Sequence, residues 1–275
     1  MLDRTNLFDL DRRMLDGDKL FMDMCTFGAC RINSAIDPIR ATSLYDMSRE
    51  LLALPQTELL RFVGPLEGNG YQRPGLERVV GTQPDAGRHF WRTGHDRNVP
   101  SDFPSAVPSA AELCNVTFRD LLAVGQCALG IIGNRLHKPD DYFARLTNGG
   151  GHGLRLLGYP RVAGTEGDIR FPPHRDFGLL TMFVGGADPG LELKLGDRWV
   201  AVENPPGSVI IAAGTVLKYE TKGVIQQLVH QVRSVCSNRT SIVFFIEPHP
   251  DAILPTGERA ADFYRRIVSK IYGET

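Results

Sequence analysis

His174 and Asp176 stand two residues apart in the stretch Asp168-Ile-Arg-Phe-Pro-Pro-His-Arg-Asp-Phe-Gly-Leu-Leu-Thr-Met-Phe-Val184. Read as one buried strand, that spacing sends the imidazole and the carboxylate to one face and Arg175 to the other, because successive side chains alternate. His230 lies in a second short run of β character, Leu228-Val-His-Gln-Val232, and can bring a third ligand to the same point. Two imidazoles and one carboxylate on one face of a metal, with the opposite positions open, is the donor set of a mononuclear non-haem Fe(II) centre. Zinc could use the same three side chains. Further along, Arg239 and Ser241 share a face in Asn238-Arg-Thr-Ser241. A guanidinium forks two hydrogen bonds to a carboxylate and the hydroxyl adds a third, so a dicarboxylate on the metal would be held there at its far end.

The elements that must position these groups follow from the pattern around them. After Asn148-Gly-Gly-Gly151 come short β-type runs at 153–159, 169–184, 190–195, 198–202, 208–213, 225–233 and 241–247, separated by Gly and Pro turns. That spacing predicts a sandwich or jelly roll. Upstream, 18–33 reads as a helix end and a strand joined at Gly28, and Pro38 to Leu54 carries a helical period ended by Leu54-Pro55. Ser109-Ala-Ala-Glu112 has the form of a capping box, and apolar residues at helical spacing predict a long support helix over about 109–136. Residues 256–272 read as a terminal helix burying Phe263, Ile267, Val268 and Ile271. The expected class is mainly β with helices (α+β), in three parts: a helical and mixed region over 1–148, a β core over 149–250 and a C-terminal helix over 251–275.

The run from Leu154 to Pro248 resembles the isopenicillin N synthase-like branch of Fe(II)/2-oxoglutarate-dependent dioxygenases. The ordered motifs are Leu154-Arg155 with Tyr159-Pro160, the His174-x-Asp-Phe-Gly-x-Leu-Thr segment, Gly190-Leu-Glu-Leu193, Trp199-Val200, Pro205-Pro-Gly-Ser208, Gly214, His230 and Arg239-x-Ser241. Each piece alone is weak; the ordered set is specific. The resemblance implies a double-stranded β-helix (a cupin-like jelly roll) holding Fe(II) on His174, Asp176 and His230. It also implies 2-oxoglutarate anchored by Arg239, Ser241 and Tyr159, with O2 as cosubstrate. The implied chemistry is decarboxylation to succinate and CO2 coupled to hydroxylation, desaturation or ring closure of a small molecule. Oxidases of the isopenicillin N synthase and aminocyclopropanecarboxylate oxidase type keep the same Arg-x-Ser without using 2-oxoglutarate, so that alternative stays open. Two positions depart from the family: Leu157 stands where plant members place an Asn, and Ser34-Ala35 where His-Gly is expected. Asp176 in place of Gly or Ala disfavours halogenation. Asp176-Phe-Gly178 also spells a kinase metal motif, but no Gly-rich phosphate loop or His-Arg-Asp loop accompanies it.

Residues 81–108 hold four prolines and little periodicity and read as a surface loop or a substrate lid, with Phe90, Trp91 and His95 as its contacts. Tyr71, Arg155, Arg175, Met182, Lys218 and Phe245 complete the expected substrate wall, core packing being the competing reading for Met182 and Phe245. A net charge of -1, from 31 basic and 32 acidic residues among 275, gives no electrostatic reason to expect nucleic acid or an anionic membrane as partner. The expected partner is a small molecule, in natural-product metabolism, with monomer and weak dimer both open. Five scattered cysteines, Cys25, Cys30, Cys114, Cys127 and Cys236, fit reduced thiols in a cytoplasmic protein, and no signal-peptide segment is visible at Met1-Leu-Asp-Arg-Thr5.

Overall fold

A computed structural model describes residues 9–11, 16–65, 68–77, 79, 82, 87–94 and 102–272. Two sheets face each other. The larger has eight strands in the order β1-β2-β10-β7-β12-β5-β4-β3, built from Asp9–Asp11 (β1), Ala29–Asn33 (β2), Gly70–Gln72 (β3), His89–Thr93 (β4), Gly153–Tyr159 (β5), Leu180–Val184 (β7), Val209–Ala213 (β10) and Arg239–Ile246 (β12). The smaller has the order β6-β11-β8-β9, from Ile169–His174 (β6), Leu191–Leu195 (β8), Arg198–Ala201 (β9) and His230–Arg233 (β11). Apart from the parallel β1 and β2, the named pairs run antiparallel.

Strand alternation divides the larger sheet between two cores. Leu154, Leu156, Leu180, Met182, Ile242 and Phe244 face the helices. Leu157, Tyr159, Phe183 and Val243 face the other way and meet Phe171, Leu193 and Val232 of the smaller sheet. The space between the sheets is therefore the apolar interior of the jelly roll, and every odd-numbered residue from Arg239 to Phe245 is directed toward it.

The helices are Gly17–Phe27 (α1), Pro38–Leu52 (α2), Gln56–Leu59 (α3), Ala110–Arg135 (α4), Tyr142–Thr147 (α5), Thr215–Glu220 (α6) and Ala260–Tyr272 (α7). Asp16 caps α1 by accepting from the amides of Asp18 and Lys19, and Asp37 caps α2 from Ile39 and Arg40 with Pro38 in the first turn. Gly28 ends α1 at φ 71, where a Cβ would lie 2.4 Å from the carbonyl oxygen of Gln226. The expected capping box at Ser109 does not form. Ser109 already has helical dihedrals (φ -77, ψ -10) because a turn closed by Ala110 N–H on the Val107 carbonyl leads into the helix, and its side chain caps nothing. By length and composition α4 is apolar enough to cross a membrane. Here its buried face packs on the sheet, with Gly125 closely seated against Ile246 and Met182.

The mixed region 1–148 supplies β1 to β4 of the larger sheet. One expectation changes: the run 81–108 is not one long loop, since 89–93 pair with β5 from His89 opposite Gly158 to Thr93 opposite Leu154.

Candidate active site

Two strand ends and one turn bring the three candidate ligands together. His174 closes β6 and His230 opens β11, and the two are register partners. Asp176 lies in the turn before β7, so 169–184 is not the continuous strand that its spacing suggests. Asp176 thus meets the histidines through the turn rather than through strand parity. Its backbone carbonyl is held by the amide and the hydroxyl of Thr215 at the start of α6, both at 3.0 Å.

One donor atom from each of His174, Asp176 and His230 lies within 4.8 Å of the others. Asp176 Oδ1 is 3.8 Å from His174 Nε2, and Oδ2 is 3.6 Å from His230 Nε2. His174 Nδ1 lies 2.9 Å from the carbonyl oxygen of Pro172, which places the proton on Nδ1 and leaves the Nε2 lone pair facing the other ligands. Thr181 donates to Asp176 Oδ2 at 2.6 Å and fixes the carboxylate from behind. Burial pushes the His230 imidazole down to about 3, helped by His174 and opposed by Asp176. Burial lowers His174 as well, again against Asp176. For Asp176, burial alone would raise the carboxyl, but His230, His174, the Thr181 hydroxyl and Arg155 together hold it below its ordinary value. Two neutral imidazoles and one carboxylate are the protonation states a divalent metal requires.

The anchor lies on β12. Arg239 and Ser241 are buried, opposite Tyr159 and Leu157 of β5. Arg239 Nε donates to the Pro189 carbonyl at 2.9 Å, its guanidinium lies 5.0 Å from the centre of the Tyr159 ring, and its buried Nη1 has no partner among the described residues. An unpartnered buried guanidinium nitrogen is costly unless an anion meets it, and a carboxylate fits that role. The residues present therefore suit both a 2-His-1-carboxylate metal and a 2-oxo acid.

The comparisons with known proteins agree. The 2OG-Fe(II) oxygenase superfamily model matches residues 150–248. Those residues belong to that superfamily. The oxygenase region sits within a chain that is 26% identical over 265 residues to a homoarginine-6-hydroxylase of Arabidopsis thaliana, covering 83% of this chain and 77% of that one. With the 2'-deoxymugineic-acid 2'-dioxygenase of Hordeum vulgare it shares 27% over 154 residues, 56% of this chain and 44% of that one. The fold matches that of a full-length Neurospora crassa protein solved in complex with alpha-KG at TM-score 0.80 and 19% identity, covering 92% of this chain and 90% of that one. The chain is an Fe(II)- and 2-oxoglutarate-dependent oxygenase, and its cofactors are Fe(II), 2-oxoglutarate and O2.

The expected substrate wall is only partly assembled. Phe90 of β4, Arg155 of β5 and Phe245 of β12 reach the oxygenase cavity: Arg155 lies 5.0 Å from the centre of each ring. Met182 faces the helices instead, because the turn after Asp176 sets the opposite parity. Its neighbours Thr181 and Phe183 face the site, and the Phe183 ring is 5.1 Å from that of His230. Trp91 and Tyr71 also belong to the helical core, where Trp91 stacks on Phe103 at 5.2 Å and the Tyr71 hydroxyl meets His89 Nδ1 at 3.1 Å. Arg175 is exposed to solvent, and Lys218 is half-buried on α6. His95 lies outside the described residues.

Sequence reasoning missed Thr181, Glu77, Arg88, Arg92 and Glu247. Glu247 continues the inward alternation of β12, which was a readable signal. Its carboxylate crowds the Asp176-Phe177-Gly178 turn so closely that a Cβ on Gly178 would lie 2.6 Å from it. Burial, then the charge of Asp176, raise this acid well above its ordinary value, against the pull of Arg155 and Arg92. No spacing rule pointed to Glu77, which meets arginines far from it in sequence.

Proposed function

We propose that this oxygenase oxidises a small organic molecule in natural-product metabolism, with His174, Asp176 and His230 holding the iron and Arg239, Ser241 and Tyr159 holding 2-oxoglutarate. The observation that carries this assignment is the buried, unpartnered Nη1 of Arg239, on the strand face that looks between the sheets toward the side on which the three ligands cluster. When bound, iron and 2-oxoglutarate would supply oxidising power from O2, with loss of CO2 and formation of succinate. The chain's own residues orient and exclude. His174 and His230 offer neutral nitrogens and Thr181 fixes the carboxylate of Asp176. Phe90, Phe171 and Phe183 keep the cavity apolar, which limits water at the metal.

Five cysteines without a disulfide among them are compatible with a reducing, cytoplasmic setting. The homoarginine and deoxymugineic acid named for two relatives are small amino-acid-derived compounds, which favours a small-molecule substrate here too. Succinate formation tests the reading against a 2-oxoglutarate-independent oxidase. Purified protein given Fe(II), ascorbate, O2 and labelled 2-oxoglutarate should release labelled succinate, and Asp176→Ala should not. Oxygen uptake with no succinate would favour the oxidase reading instead.

A further inference from the structure

The inward line of β12 runs Arg239, Ser241, Val243, Phe245, and β5 places Arg155 opposite Val243, beyond the 2-oxoglutarate anchor. Arg155 Nη1 donates to both carboxylate oxygens of Glu77, at 3.1 and 3.2 Å. Glu77 also pairs with Arg88 at 2.9 Å and Arg92 at 3.5 Å. The side chains of Arg88 and Arg92 are 6% and 5% exposed, whereas Arg155 keeps 24%. Nε and Nη2 of Arg155 make no hydrogen bond to any described residue, and neither is fully buried. Phe90 and Phe245, each centred 5.0 Å from this guanidinium, keep it in place. Phe245 is the register partner of Thr181, whose hydroxyl holds Asp176, so the guanidinium stands on the metal-ligand side of the space between the sheets.

A guanidinium held at one nitrogen, flanked by aromatic rings and open along its other edge is preorganised for a planar anion. We infer that Arg155 binds the carboxylate of the primary substrate, so that this enzyme takes small carboxylic acids, α-amino acids among them, rather than neutral molecules. The inference rests on the oxygenase reading and adds the substrate class to it.

The test uses the full chain with Fe(II) and 2-oxoglutarate under anaerobic conditions. Formation of the visible charge-transfer band is recorded first, and thermal stabilisation is then measured with matched probes. One probe set is the proteinogenic α-amino acids and a series of aliphatic and aromatic monocarboxylates; the other is the same compounds as primary amides. Members of the first set should stabilise the wild type and their amides should not. In Arg155→Leu the midpoint should rise at least tenfold, with an intermediate value in Arg155→Lys, which keeps the charge but not the fork. Both variants should keep the band and the ligand-free melting temperature, since Glu77 retains Arg88 and Arg92. Stabilisation by either carboxylate source supports the inference. Equal stabilisation by the amides, an unchanged midpoint in Arg155→Leu, or no carboxylate-dependent stabilisation while the band forms would each overturn it. Failure of the wild type to form the band would overturn the oxygenase reading, and this inference with it.

Discussion

His174 and His230 face each other across β6 and β11 with ring centroids 4.1 Å apart, and Asp176 closes the triangle from the adjoining turn. Two neutral imidazoles so close, one buried and one half-buried, gain little from packing alone. A shared cation explains both.

Each ligand should accordingly be indispensable. His174→Ala, Asp176→Ala and His230→Ala should each reduce Fe(II) affinity by on the order of a hundredfold or more, because each removes one of three protein donors. Metal content after dialysis, alongside far-UV circular dichroism to verify folding, measures this. Stoichiometric iron in any of the three would remove that residue from the set.

Thr181 should matter without touching the metal. Its 2.6 Å hydrogen bond fixes Asp176 Oδ2, and loss of such a support costs about ten- to a hundredfold in metal affinity. Thr181→Val keeps the shape and removes the donor, whereas Thr181→Ser should restore affinity. Identical iron titrations for all three proteins would show that Asp176 needs no such support.

The inter-sheet site was legible in the sequence to the extent that its residues carried their own spacing. Arg239 and Ser241 lie on one strand, and parity placed them correctly. Met182 went astray by one position because the turn at 175–179 resets the alternation between β6 and β7, a break that apolar residues at Leu179 and Leu180 conceal. Trp91 looked like a lid aromatic amid prolines and Tyr71 like part of the substrate wall, yet the pairing of β4 with β5 and of β3 with β4 turns both into the helical core. Glu77 and Arg155 meet over a long sequence separation, and only the fold reveals that pairing.

For Arg239→Leu, the concentration of 2-oxoglutarate needed for half-saturation should rise by about ten- to a hundredfold, equivalent to roughly 1.5–3 kcal/mol for a lost charge-assisted contact. Isothermal titration with Fe(II) in place measures it directly. Unchanged saturation would place the far carboxylate elsewhere.

The metal-free protein should lose stability in acid in a way that depends on His230. Its imidazole is held at about 3 in the fold against an ordinary 6.5, so protons bind the unfolded chain more readily. The stability from keeping it neutral is full above pH 6.5 and is lost as pH falls toward 3. Urea denaturation across that window should show a shallower pH dependence in His230→Gln than in the wild type. Parallel curves would mean that the imidazole is not confined in its neutral form.

Crowding at the turn gives a packing test. In Gly178→Ala the added methyl meets the Glu247 carboxylate, and overpacking of this kind costs typically about 1–3 kcal/mol. Pairing it with Glu247→Ala should recover most of the loss. A double variant as unstable as the sum of the singles would show that the clash lies elsewhere.

The most direct test of the site as a whole is an anaerobic titration of the metal-free protein with Fe(II) in the presence of 2-oxoglutarate, followed by visible absorption. The wild type should develop a charge-transfer band that saturates at one iron per chain, weakened in Arg239→Leu and absent in Asp176→Ala. A colourless wild-type solution, or an equal band in Asp176→Ala, would contradict the assignment of His174, Asp176, His230 and Arg239 to one iron and 2-oxoglutarate site.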